Sequence, residues 1–221
     1  MQNPMIQLLV LAAIAVFLIL RLRGVLGTRD GFEPTRIEDD ARQVPDLTVI
    51  DDDGPRPAVD DDLADHVDAD NPALPALKAM KRADPSFSLG EFLSGAKQAY
   101  EMILLAFERG DLDEVRPFLS PEVAEAFDQV IEARREAGHQ VEAQYLGTRE
   151  TALTSAQFDP QTAVAELTVR FVGEMISATK DADGTVIEGN PRTARKQRDD
   201  WTFERVMTSP DPNWRLVATG A

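Results

Sequence analysis

From Met5 to Leu20 the chain reads MIQLLVLAAIAVFLIL, sixteen residues without a charge, and then meets Arg21-Leu22-Arg23. A helix this apolar on every face needs hydrocarbon or a large domain around it, and the polar residues that follow cannot supply the domain. The run therefore predicts a single membrane-spanning helix over residues 5–23. At about 1.5 Å per residue its apolar part rises about 24 Å against a hydrocarbon core of about 30 Å. Snorkelling of Arg21 and Arg23 with slight bilayer thinning closes that gap. A cleaved signal peptide would instead need a basic segment before the run and a small-x-small site after it. Met1-Gln2-Asn3-Pro4 and RLRGVLG provide neither. Because basic residues mark the cytoplasmic flank, Arg21, Arg23 and Arg29 predict an N-out/C-in topology.

The net charge of −16 is unevenly spread. Residues 1–29 carry three arginines and no acid, residues 30–84 carry 16 acids against 6 bases, and residues 85–221 carry 23 acids against 14 bases. Such a chain lacks the basic footprint that nucleic acid requires. There are no cysteines, so disulfides, thiol chemistry and Cys-based metal sites are excluded. His66 and His139 are the only histidines and stand far apart, which excludes a clustered zinc site. No cofactor is expected.

Residues 30–84 read as an acidic disordered linker. They hold the triplets Asp51-Asp52-Asp53 and Asp60-Asp61-Asp62, six prolines and few large apolar side chains to offset ordering entropy. A flexible chain of that length spans about 40 Å end to end, and self-repulsion extends it. Leu47-Thr48-Val49-Ile50 is either a short docking motif or a chance apolar run.

A folded domain is expected over residues 85–221, with the α+β class. Ser88 followed by Glu91 has the spacing of a capping box. It opens an apolar stripe at Leu89, Phe92, Leu93, Ala96, Tyr100, Ile103, Leu104 and Phe107, closed by Gly110. A helical turn over Leu112 to Leu119 follows. Ser120-Pro121 then starts a second helix whose stripe is Val123, Phe127, Val130 and Ile131, ending at Gly138. Beyond it the period changes from helical to alternating. Val141, Ala143 and Tyr145, then Ala165, Leu167, Val169, Phe171 and Met175, then Trp201 and Phe203, and finally Trp214, Leu216 and Ala218 form the apolar face. Asp183-Gly184 marks a hairpin turn into Thr185-Val186-Ile187. Helices followed by antiparallel strands with one polar face describe helices packed on a curved antiparallel sheet.

Four ordered stretches, RLRGVLGTRDGFEP, DPSFSLGEFLSGAKQAYEMILLAFERGDLDEVRPFLSPEV, TVRFVGEMISATKDADGTVIEG and DDWTFERVMTSPDPNWRLVATG, resemble the bacterial Tim44-like proteins. These are relatives of the C-terminal domain of a mitochondrial inner-membrane translocase subunit. The resemblance implies two long helices over a four- or five-stranded antiparallel sheet, an NTF2-like cup with an apolar pocket. It implies an adaptor at the bacterial inner membrane, and the arginine flank of the apolar run adds the expectation that the folded domain is cytoplasmic. A chaperone or translocase component is then the candidate protein partner, and anionic lipid a candidate ligand. The long N-terminal part of the mitochondrial protein has no counterpart here, where an apolar run and an acidic linker stand instead.

If such a pocket exists, Tyr100, Phe107, Phe127, Tyr145, Phe171, Trp201 and Phe203 are the candidates to line it; alternation alone reads them equally as sheet core. The dense basic run Arg192, Arg195, Lys196 and Arg198 is a candidate lipid-headgroup contact. Its alternative is a solvated hairpin paired with Asp199 and Asp200. Tyr100, Tyr145 and His139 are the residues an enzyme reading would use, but Glu142, Glu166, Glu174 and Glu204 all face outward in the expected register. No catalytic residue is assigned. The expected function is a membrane-anchored, non-enzymatic adaptor that holds a protein partner or lipid. The alternatives are a cup-shaped binding protein or enzyme for a small apolar ligand, and an envelope assembly factor whose anchor itself makes the contacts.

Overall fold

The computed structural model describes residues 61–220. The expected spanning helix over residues 5–23 and the linker up to residue 60, with Leu47-Thr48-Val49-Ile50, lie outside the described residues. Among the described residues no helix is long and apolar enough to cross a membrane. The chain forms α1 (Asp61–Ala64), α2 (Leu74–Ala83), α3 (Leu89–Arg109), a 3-10 turn (Arg116–Phe118) and α4 (Pro121–Glu136). Five strands follow: β1 (Gln140–Asp159), β2 (Val164–Lys180), β3 (Val186–Gly189), β4 (Arg195–Val206) and β5 (Arg215–Gly220).

Local chemistry sets the helix ends. The Ser88 hydroxyl accepts from the Glu91 amide at 3.2 Å, satisfying one of the orphan donors of α3. At the other end Gly110 takes a left-handed φ of 72°, a conformation that costs glycine least, and its amide reaches the carbonyls of Ala106 and Phe107. α4 begins the same way, with the Ser120 hydroxyl accepting from the Val123 amide at 3.2 Å and Pro121 in its first turn. Val130, expected on the buried stripe of α4, faces solvent instead. The buried side chains of this helix are Val123, Ala124 and Ile131, a narrower face that lies against β5.

The strands form one antiparallel sheet in the order β1-β2-β4-β5. β2 is the central strand: β1 pairs along its whole length, β4 takes its other side from Val164↔Val206 to Met175↔Arg195, and β3 continues beyond on that same side. Register shifts in β1 between Tyr145 and Gly147, Thr148 and Glu150, and Leu153 and Ser155 insert extra residues. Each bends and twists the edge, and together they curve the sheet. α3 packs on β1 and β2 across the concave face. Eight of its residues are buried there, and large apolar side chains contribute about 1.5–3 kcal/mol each on full burial. The 3-10 turn replaces the longer helical turn expected over Leu112 to Leu119.

The end of the expected linker is folded, which corrects the boundary at residue 84. Leu63, Val67, Leu77 and Met80 are buried in the common core, and α2 packs on β1. The composition is misleading because the acids are used as ties. Asp62 accepts from the amides of Leu89 and Gly90 at 2.9 and 3.0 Å and from the Ser88 hydroxyl at 2.9 Å, and pairs with Lys81 at 2.8 Å. It caps α3 from 26 residues upstream. Asp84 pairs with Arg205 at 2.8 Å, an ion pair whose two side chains are 13% and 11% exposed.

Burial works against the charged form of Asp62, but Lys81, the two amides and Ser88 outweigh it and hold the carboxyl well below the usual carboxylate range. Replacing Asp62 with alanine strands those donors, so a loss of about 1–3 kcal/mol is expected. A depressed folded pKa contributes stability that is present above the unfolded value of 3.8 and lost as pH falls toward the folded one. Urea denaturation should therefore show the full gap between native protein and Asp62→Ala at neutral pH and a shrinking gap below that value.

Candidate functional site

The concavity under α3 is filled by rings. Tyr100 lies flat on Phe171 with centroids 4.3 Å apart, and Trp201 meets it edge-on at 4.7 Å. Tyr145 approaches Tyr100 at 6.1 Å, and Phe203 closes on Phe171 and Trp201 at 6.4 Å. Tyr100, Phe171 and Trp201 are thus packed core and not the wall of a hollow cup, because the helix sits in the bend of the sheet and its aromatic side chain occupies the space. The Tyr145 hydroxyl bonds the Thr148 hydroxyl at 2.7 Å, and its ring lies over Gly173, where a Cβ would stand 2.6 Å from the phenolic oxygen. Phe107 and Phe127 form a separate pair 4.7 Å apart near the far end of α3.

A polar joint runs from the buried Tyr100 of this cluster to the half-buried Asp199 on β4. The Tyr100 hydroxyl donates to Asp199 Oδ2 at 2.5 Å, and Gln197 Nε2 donates to the same oxygen at 2.9 Å. Asp199 corrects two expectations, since it is an acid on the inward face and does not pair with the basic run. Its signal was present: residues 199, 201 and 203 alternate onto one face of β4. Asp200, on the other face, forms a two-pronged pair with Arg170 at 2.8 and 2.9 Å, whose hydrogen bonds lower its pKa. Burial first, and the Asp199 carboxylate second, push the Tyr100 phenol far above its ordinary range. Burial is also the leading cause of the upward shift at Tyr145. At neutral pH both are neutral phenols. His139 lines a different cleft, so the three residues of the enzyme reading do not converge.

The basic run does not converge either. Arg195 to Val206 pair with β2 without interruption, so Arg195 shares the face of Asp199 and Trp201 while Lys196 and Arg198 lie on the other. There Lys196 stands opposite Glu174, which is bound by Arg149 at 2.8 Å. Arg192 sits in the turn before β4. Strand parity therefore divides Arg195, Lys196 and Arg198 between two faces of the sheet, and Arg192 stands apart in the turn.

The open apolar site lies on the flank of α3. A cleft of about 560 Å³ runs along the helix from Ser88 to Met102, walled opposite by Phe118, Pro212, Asn213 and Trp214. Glu91, Gly95, Gln98, Ala99 and Met102 recur at three- and four-residue spacing and so share this flank. Phe92 and Phe87 pack on the Trp214 ring at 4.7 and 6.0 Å, giving the cleft an aromatic end. Met102 is 41% exposed, and a Cβ at Gly95 would meet nothing within 4 Å. Arg205, which lines the cleft, is held by Asp84. Of the seven aromatic residues named from the sequence, Phe203 alone lines this cleft.

The fold is that of an α+β domain: a long helix seated in a curved antiparallel sheet, with an open groove on the helix flank. The family model described as the Tim44-like domain matches residues 75–221, and the chain belongs to that family. A mitochondrial import inner membrane translocase subunit, TIM44-1 of Arabidopsis thaliana, is 23% identical over 145 residues, covering 63% of this chain and 30% of that protein. The chain thus matches under a third of its curated relative's length. Among solved structures, the intermembrane space region of chloroplast protein ARC6 aligns with a TM-score of 0.37 at 12% identity, covering 59% of this chain and 92% of that one.

Two measurements probe the polar joint. Tyr100→Phe keeps the ring stack and removes one hydroxyl from Asp199, so it should fold and lose about 1–2 kcal/mol in denaturant titration. Because the folded pKa of Tyr100 is raised, its contribution is present below the unfolded value of 10.0 and is lost as pH rises beyond it. Ultraviolet titration should accordingly show both tyrosines of the folded protein ionising above that value.

Proposed function

We propose that this chain is a membrane-tethered, non-enzymatic adaptor, which uses the cleft beside α3 to hold an apolar segment of a protein partner in translocation or a related membrane process. Support comes from family membership, from a curated relative that is an import translocase subunit of an inner membrane, and from the uncharged run at residues 5–20. The observation that carries the reading is the cleft itself. An accessible methionine, an aromatic end and a floor of small residues suit the binding of apolar side chains without fixed chemistry. Among the described residues the hydroxyl–carboxylate pair of the aromatic core, Tyr100 with Asp199, joins a fully buried phenol to a half-buried carboxylate, and its hydrogen bond serves the packing of α3 on the sheet.

In this reading residues 5–23 anchor the chain N-out/C-in, and the acidic stretch up to residue 60 sets how far the domain reaches. A small apolar ligand is the second reading, favoured by a cleft volume within the usual range of small-molecule sites, about 300–1,000 Å³.

Gly95→Leu separates function from stability. It fills open space on the groove and replaces a poor helix former, which should leave stability unchanged or raise it by up to about 1 kcal/mol. With a photo-crosslinkable residue at Met102, the expected outcome in cells is a discrete adduct that disappears in Gly95→Leu. An adduct unaffected by filling the groove would refute partner binding there. Native mass spectrometry of the purified full chain decides the second reading, which requires a stoichiometric small molecule. A C-terminal reporter active only outside the cytoplasm would overturn the topology.

A further inference from the structure

At the opposite end of α3 from Ser88, the close of α3, the last turns of α4 and the start of β1 enclose another cleft of about 310 Å³. Its charged and polar lining includes Arg109, Arg134, Arg135, His139 and Glu108. Helix dipoles account for part of this gathering, since cations are favoured at helix C-termini. They do not account for the state of Arg134. Its guanidinium lies over the Phe107 ring, 4.5 Å from the centroid, and its Nη1 is shielded from solvent with no hydrogen-bond partner. Among the described residues neither Arg109 nor Arg134 forms an ion pair, whereas Arg135 is held by Glu132 at 2.6 Å. Other arginines of this acidic chain meet carboxylates, as in Arg116 with Asp128 and Arg170 with Asp200. A shielded guanidinium N–H without an acceptor keeps its desolvation penalty, and a turn of the half-buried Arg134 side chain toward an anion held in the cleft would relieve it.

We propose that this cleft is an anion site for a phosphoryl group, with Arg134 as the central donor, Arg109 reaching from α3 and His139 from the connection just before β1. Donors drawn from three separate segments suit a tetrahedral oxyanion, and the guanidinium fork braced on Phe107 is the group that matches phosphate with two parallel hydrogen bonds. The site lies apart from the cleft beside α3 and does not depend on what that cleft holds.

Glu108 is the opposing group. Burial raises its pKa, Arg134 lowers it and Glu188 raises it, with a net upward shift. Its carboxyl is thereby disposed to take up a proton when an anion enters, and a protonated carboxyl donates to a phosphate oxygen. Glu108 as an ionised carboxylate opposes the anion, so removing its charge should help.

The test uses the full chain, isotopically labelled in micelles of a zwitterionic detergent, titrated with inorganic phosphate at constant ionic strength against chloride. The expected result is saturable amide shifts confined to residues 138–141 and to the Arg134 side chain. Arg134→Gln should weaken binding about tenfold or more, as loss of a charged, forked donor does, and Arg134→Lys should weaken it less. Glu108→Gln should tighten binding about threefold by removing a like charge, a gain that a purely structural glutamate would not produce. Shifts that grow linearly and match those of chloride overturn the proposal, as does equal binding by folded Arg134→Gln. If Arg134→Gln fails to fold, Arg109→Gln and Glu108→Gln decide, and the proposal falls if neither changes the affinity. Dihexanoyl phosphatidate displacing inorganic phosphate at lower concentration assigns the phosphoryl group to a lipid headgroup; inorganic phosphate binding the tighter assigns it to a soluble phosphate.

Discussion

The structure depends on one joint, the Tyr100 side chain between Phe171 and Asp199. Its ring supplies the stacking area that seats α3 in the bend of the sheet, and its hydroxyl is satisfied by a carboxylate on β4. A buried phenol without that acceptor would be costly, and the half-buried carboxylate gains a donor in return. Each therefore satisfies the other, and together they set the rotation of α3 about its axis. Once that rotation is set, Phe92 must face Phe203 and Trp214, and the next flank of the helix is left uncovered. The open cleft is a consequence of the closed core.

Charge in this chain works by placement more than by total. Asp62 and Asp84 belong to a stretch whose composition signals disorder, yet one caps α3 and the other binds a nearly buried arginine on β4. Each is partnered within the fold, so burial of α1 and α2 leaves neither carboxylate stranded. The basic run before and within β4 shows the converse. Four cations close in sequence are spread over a turn and two faces of a sheet, because strand geometry sends neighbours to opposite sides. Meanwhile Arg109 and Arg134, distant in sequence, line one cleft.

A filled cup changes how a Tim44-like domain of this kind can bind. With Tyr100, Phe171 and Trp201 in contact, a partner or ligand has no volume to enter beneath the helix. In the proposed reading the partner is held at the side of α3, where Gly95, Ala96 and Ala99 keep the backbone approachable and Trp214 and Met102 supply apolar area. The same helix thus serves as the core element along one face and as a groove wall along the next. A rigid wall of this sort reduces the ordering cost of capturing a flexible apolar segment.

Much of the fold was legible in the chain because its signals are local. The Ser88 and Ser120 caps, the Gly110 stop, the 3,4 stripe of α3 and the alternation through β2 and β4 each follow from hydrogen-bonding needs or side-chain periodicity within a few residues, and each stands in the structure. The inward position of Asp199 was equally legible by parity from Trp201. What local sequence did not determine was which partner each group would find: that Asp62 would cap a helix 26 residues away, that Phe92 would meet Trp214, or that the ring cluster would fill its concavity. Those outcomes depend on sheet curvature and on the seating of α3, which join residues up to 121 apart. Periodicity names the face that a residue occupies; only three-dimensional packing decides whether that face closes on itself or stays open to a partner.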